Sequence, residues 1–425
     1  MTSARPLTFA AAAVCAALTL SSCAGSAGAG GSSGGEAGAG FEYDADQAAV
    51  DEALADLDPV TLTYQPAAAS PESIMAPAAY AYQDYIEERS GGKITLEMVW
   101  GQAIAGYAEV DDALADGRLD LSYSLPIYNP SDYPSFDATA SALSGLPISP
   151  VRGEAIYNAV AGDLGWQTES LLDEYEAKGV TPLTPMVASG GYYPICNEEG
   201  SEPDDWEGRQ IRVASTSHLN VTQELGASPV SMEYVEVFEA LQRGTVDCTF
   251  AQLLPSAESQ LFDVAPHLSY STDEASMASR AVGAELAGSS FETLPLAYQQ
   301  IIFDAAQSSF AGFVNIVADG NTESVRQVKE ADGTIEQIDE ETEKIISDAN
   351  AAELERILDD GLLSDDVPAK IDESTEKWTS VADELGIEDK GDFEDLDEWW
   401  EEGVLDFAPM GKRVYEETGL AHRPS

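Results

Sequence analysis

Hydrophobic periodicity switches between two residues and about 3.6 along this chain, and that switching constrains the fold more than any other feature. Residues 60–64, Val-Thr-Leu-Thr-Tyr, alternate as a strand does. Ile74, Ala78, Tyr82 and Ile86 then recur four apart on one helical face, Ser90-Gly91-Gly92 supplies a stop, and Ile94, Leu96 and Met98 alternate again. A short helix over 109–119 leads to a third strand over 120–124. Strand, helix, strand, helix, strand is the order of a parallel sheet with covering helices. The pattern recurs: an apolar segment at 180–187, a strand at 209–214, helices at 218–225 and 235–243, and a strand at 246–250. Two α/β lobes are expected, since 425 residues exceed the roughly 250–300 at which a single core stops growing.

Beyond residue 294 the pattern becomes helical, at 298–315, 336–358 and 373–385, with dense acidic faces. Residues 389–402 are mostly Asp and Glu around Phe393, Leu396, Trp399 and Trp400, which read as apolar anchors of a helix lying across the lobes. The acidic run lacks the spacing and the glycine of an EF-hand loop and reads as a solvated face. No repeat occurs at a solenoid period.

The N-terminus reads as an address. Arg5 precedes an apolar run from Leu7 to Leu20, shorter than the ~20 residues of a spanning helix. Leu20-Ser21-Ser22-Cys23 has the small residues before cysteine of a bacterial lipoprotein cleavage site. Residues 1–22 are therefore assigned as signal peptide, with Cys23 as the lipidated new N-terminus. Residues 23–59 form a Gly/Ala/Ser tether and an acidic lead-in. Gly31-Ser32-Ser33-Gly34-Gly35 matches G-x-S-x-G but lacks the strand-turn-helix context of a nucleophile. Cys15 leaves with the signal, so Cys196 and Cys248 remain in the exported body. An even pair in an oxidising compartment suggests a disulfide, with two buried thiols as the alternative.

The formal charge is −57, from 77 acidic against 20 basic residues, which excludes a nucleic-acid partner. No H-E-x-x-H, C-x-x-C, Walker loop or Rossmann glycine pattern is present, so no metal or cofactor is implied. Paired carboxylates carry no signal among so many acids. The rare cations carry more. Arg212 lies in Gly208-Arg-Gln-Ile-Arg212-Val-Ala, on an apolar strand between a turn and a helix. A guanidinium there needs an internal carboxylate partner or serves as a bidentate clamp for a ligand carboxylate.

Several segments resemble the extracytoplasmic solute-binding proteins of TRAP (tripartite ATP-independent periplasmic) transporters, of the dicarboxylate-binding type. They are Tyr85-Ile-Glu-Glu-Arg-Ser-Gly-Gly-Lys-Ile-Thr-Leu-Glu97, Ala113-Leu-Ala-Asp-Gly-Arg-Leu-Asp120, Trp206-Glu-Gly-Arg-Gln-Ile-Arg-Val213, Leu225-Gly-Ala-Ser-Pro-Val230 and Glu236-Val-Phe-Glu-Ala-Leu-Gln-Arg-Gly-Thr-Val-Asp247. The resemblance covers most of residues 60–310 in family order. It implies an α/β, two-lobed clamshell of the type II periplasmic-binding-protein kind, with a long inter-lobe helix and a helical C-terminal region. Lobe I is expected at 60–188 plus 275–315, and lobe II with the C-terminal helices at 189–274 plus 316–425. It implies capture of a small organic acid and delivery to an ion-gradient-driven permease, on the extracytoplasmic face of the membrane, without catalysis. A lipid-anchored sensor and an exported hydrolase are the alternatives.

Arg212 falls on the family's carboxylate-pairing arginine. Ala251 stands where the family often has a polar Asn, which leaves Gln252 as the nearest amide, and Cys248 replaces the glycine of that motif. The second arginine of sialic-acid-binding members falls near Tyr192, which argues against that ligand. Tyr192, Tyr193, Tyr123, Tyr128, Trp100 and Gln65 lie at or just after strand ends, where α/β folds place ligand contacts. An acid with an apolar or aromatic body is the expected ligand. The acid excess is read as solubility in salt.

Overall fold

A computed structural model describes residues 39–425 apart from 147, 272–275, 279 and 402. The signal segment, Cys23 and the Gly/Ala/Ser tract up to residue 38 lie outside the described residues. In chain order the strands are β1 (Val60–Gln65), β2 (Ile94–Met98), β3 (Leu121–Ser124), β4 (Thr181–Ala188), β5 (Tyr192–Cys196), β6 (Gln210–Val213), β7 (Ser228–Ser231), β8 (Cys248–Gln252), β9 (His267–Tyr270), β10 (Ala281–Ala287) and β11 (Thr334–Gln337). They form two sheets, ordered β2-β1-β3-β10-β4 and β11-β9-β5-β8-β6-β7. The fold is α/β and two-lobed.

Both sheets are mixed. β1 pairs in parallel with β2 and β3, and β6 in parallel with β7 and β8, as the strand-helix-strand pattern predicts. β10 runs antiparallel between β3 and β4, and β5 runs antiparallel to β8 and β9. These two strands follow the crossings between the sheets, so each enters its sheet from the opposite end.

The spanning element is the helix Ala306–Glu330. It packs against Ala76–Arg89 of the first lobe and Leu253–Glu258 of the second. Two glycines permit this. A Cβ on Gly312 would come within 2.9 Å of Ala78 Cα, and one on Gly320 would collide with the Leu254 side chain. Ser324 Oγ fastens the second contact by donating to the Leu253 carbonyl at 2.9 Å. The expected helix over 298–315 is in fact two, Leu296–Asp304 and the spanning helix, with the break at Ala305.

The tail departs from its expected place. Glu340–Asp359 packs on Thr216–Glu224 of the second lobe and on Pro134–Ala142, whereas Val367–Leu385 packs on Arg152–Gln167, which covers β4 of the first sheet. Trp378 Nε1 and Ser374 Oγ both donate to the buried carboxylate of Asp163 there. The C-terminal helices thus serve both sheets. An amphipathic face specifies burial without specifying which sheet it covers.

Phe393, Leu396 and Trp400 are buried, but in a 3₁₀ turn, in the four-residue helix Leu396–Trp399 and just after it, rather than in a long crossing helix. Part of the acidic lead-in is also folded: Gln47–Leu54 is a helix capped by Asp46 with Val50 and Leu54 inside. Arg423 secures this end of the body, bonding the Phe41 carbonyl and both oxygens of Asp304.

Candidate functional site

β6 alternates as a sheet strand must, yet it buries a guanidinium: Arg212 is 2% exposed. Its Nε donates to the Met232 carbonyl at 3.1 Å and its Nη1 to the Phe250 carbonyl at 3.4 Å. The other two deeply buried arginines have acids of their own, Arg280 with Glu154 at 3.7 Å and Arg423 with Asp304 at 2.7 Å. Among the described residues no carboxylate pairs with Arg212. Backbone carbonyls orient the fork but leave its charge uncompensated, and a buried cation without an anion costs several kcal/mol.

Aromatic rings surround the fork. Tyr234, just beyond β7, presents its face 5.6 Å from the guanidinium carbon, and its hydroxyl bonds Ser256 and Ser259. Tyr128 ends the 3₁₀ turn Pro126–Tyr128 that follows β3 of the first lobe. Burial raises the Tyr128 phenol pKa, and the facing Arg212 guanidinium pulls it back down. Arg212 and Tyr128 belong to different sheets, so the site lies between the lobes. Tyr192, the first residue of β5, is 8% exposed and makes an edge contact with the His218 ring at 4.2 Å. Burial and the neighbouring Tyr128 raise its pKa, while Arg212 lowers it. The arrangement can bind a carboxylate attached to an apolar body. It holds no nucleophile-base pair.

The remaining expected site residues make other contacts. Gln65 is spent on its own loop, donating to the Ala105 carbonyl at 2.8 Å and accepting from the amides of Ile104 and Ala105. Trp100 packs on Tyr80 at 5.5 Å. Tyr193 stacks on Phe393 at 5.3 Å and lines a separate groove with Ile148 and Arg152. Strand alternation explains that separation, because neighbouring Tyr192 and Tyr193 face opposite ways.

Gln252 and Tyr123 gather at the crossing between the sheets. Gln252 Nε2 donates to Ser189 Oγ at 2.9 Å and the Gly190 carbonyl at 3.3 Å, and the Tyr123 hydroxyl also bonds Ser189. They fasten the crossing between β4 and β5. Cys196 lies opposite Cys248 across β5 and β8, their Cα atoms 4.1 Å apart, and the two are disulfide-bonded.

Tyr234 and His218 are the neighbours of Arg212 that sequence reasoning missed. His218 had a usable signal: it sits six residues after Arg212, past the Ser215 cap, on the first turn of the helix Thr216–Glu224. Tyr234 had none beyond its place after the Pro229-Val230 segment.

Comparison with known proteins identifies the family. The family model for bacterial extracellular solute-binding proteins, family 7 (DctP), matches residues 67–359. The C4-dicarboxylate-binding periplasmic protein DctP of Rhodobacter capsulatus is 28% identical over 197 residues, 45% of this chain and 55% of that one. The chain spans about half the length of the curated relatives it matches. A TRAP solute-binding protein from Rhodoferax ferrireducens, solved with copurified benzoate, superposes with a TM-score of 0.64 at 19% identity, covering 76% of this chain and 99% of that one. The sugar acid binding protein of Advenella mimigardefordensis, solved with galactonate, gives 0.59 at 22% identity over 77% and 99%. Both show a shared fold. With a family match over more than half its length, this chain belongs to the bacterial extracellular solute-binding proteins of family 7.

Proposed function

We propose that the protein is the receptor of a TRAP transporter, capturing a small organic acid between its lobes and handing it to an ion-gradient-driven permease without chemical turnover. One observation carries the reading: Arg212 is buried, held by two carbonyls and left without an acid of its own among the described residues. The family supports an extracytoplasmic receptor, and the relatives' names and bound acids support the ligand class. The tyrosines around the fork favour an acid with an apolar or aromatic body. Closure follows from binding, since an acid that touches both Arg212 and Tyr128 has higher affinity for the shut state. Cys23 with its Gly/Ala/Ser tract supports a lipid-anchored receptor on the outer face of the cell membrane.

Calorimetry with a panel of carboxylates is the test. Binding of a hit weakens about 100-fold or more in Arg212→Ala, because the ligand's carboxylate is then buried without its cation. Arg212→Lys recovers part of it, having charge without the fork. Wild-type affinity in Arg212→Ala, with circular dichroism unchanged, removes the clamp and the proposed function with it.

A further inference from the structure

His218 is 0% exposed and wedged between Tyr192 and Phe250, with ring centroids 4.2 and 5.8 Å away. Phe250 is also the residue whose carbonyl accepts from Arg212. The His218 Nδ1 accepts the Ala214 amide at 3.3 Å, which places the proton of the neutral ring on Nε2. That Nε2–H is buried and has no hydrogen-bond partner. The neighbouring Tyr192 ring offers it at most a weak N–H···π contact. A donor left unpaired in a buried place is costly, and folds seldom leave one without a reason.

We propose that the His218 Nε2–H is the second anchoring donor of the Arg212 site, reading an oxygen that the ligand carries besides its carboxylate, so that the receptor selects hydroxy or oxo acids over unsubstituted ones. The inference rests on the carboxylate-binding reading above. Arg212 fixes one end of the ligand, and the imidazole edge, one helical turn beyond β6, meets a hydroxyl or oxo group along the skeleton. Burial, together with the Arg212 charge, lowers the His218 pKa to about 3, so the ring is a neutral donor throughout the working pH range. Its role is therefore discrimination. A site that hydrogen-bonds a substrate oxygen rejects the analogue lacking it far more strongly than an apolar pocket discriminates by shape.

Three matched sets test it by calorimetry: propionate, lactate and pyruvate; succinate and malate; phenylacetate and mandelate. In the wild-type protein the oxygenated member of at least one set binds about tenfold tighter than its parent. His218→Phe brings that ratio to about one, and His218→Gln, which retains an N–H near the same point, restores much of it. ¹⁵N NMR of the wild type shows the Nε2-protonated ring, whose signal moves with the oxygenated acid and not with its parent. A preference that survives His218→Phe, or parents that bind as well as their oxygenated partners in every set, overturns the role of His218 and leaves the Arg212 clamp standing. Absence of binding by every acid overturns both.

Discussion

Glu285 stands near the middle of β10, 3% exposed, with the Tyr64 hydroxyl 3.5 Å from both its oxygens. None of the ion pairs among the described residues includes it. Burial pushes its pKa up to about 8 from 4.5, with Tyr64 opposing weakly. The folded state therefore holds a proton that the unfolded chain releases near pH 4.5, and stability falls as pH rises between about 4.5 and 8, by at most ~1.4 kcal/mol per unit. His218 works in the opposite direction. Its lowered pKa means that the unfolded chain binds the extra proton, so stability rises from about pH 3 to 6.5 and that contribution is then complete. From pH 6.5 to 8 the His218 contribution is constant while the Glu285 slope persists. Urea midpoints of wild type should decline over that window, and Glu285→Gln, which keeps shape and removes the titration, should flatten the decline. An unchanged slope in the variant would show that Glu285 is ionised in the native protein.

The second sheet depends on a crosslink at the level of its strands. Cys196 ends β5 and Cys248 begins β8, so their bond joins the strand leaving the hinge to the neighbour of the Arg212 strand. Its sequence separation of 52 corresponds to about 4 kcal/mol in the loop-entropy model. Cys196→Ser/Cys248→Ser should lose about that much in denaturant unfolding, and equal midpoints for the double variant and wild type would contradict the estimate. The cysteines were legible because only compartment and parity were needed. β1, β2, β3, β6 and β8 were legible too, since each shows its period locally. β10 and the hinge were not: their partners are set by the crossings between the sheets, which leave no period. Gln65, Tyr193 and Trp100 make contacts away from Arg212 for a related reason. A strand end marks where ligands bind, but side-chain direction and local amide demand decide which residues face them. The burial of Arg212 was legible because an arginine on an apolar strand is a conflict visible from sequence, whereas Tyr234 is an ordinary aromatic until the fork is seen beneath it.

At the scale of the whole molecule, 77 acids on a 425-residue chain repel one another, and several of the few cations are committed to acids four residues away. Such exposed pairs contribute little and do not offset long-range repulsion. The clamp works at contact distance: a carboxylate ~3 Å from the guanidinium, in an effective dielectric of ~20, gains several kcal/mol before desolvation. Surface acids some 15 Å away are damped within a Debye length of ~8 Å at physiological ionic strength. The two respond differently to salt. Raising KCl from ~0.1 M to ~1 M shortens that length from ~10 Å to ~3 Å, relieving repulsion across the surface while leaving a buried contact pair nearly untouched. The thermal midpoint should therefore rise with KCl while the affinity for a bound acid changes little. NaCl at equal ionic strength should match KCl if screening is the cause, whereas a stronger effect of one cation would mean specific ion binding. A midpoint highest in low-salt buffer would refute the reading of this acidic surface as an adaptation to salt, and it would leave the chemistry at Arg212 intact, because the repulsion and the clamp act over different distances.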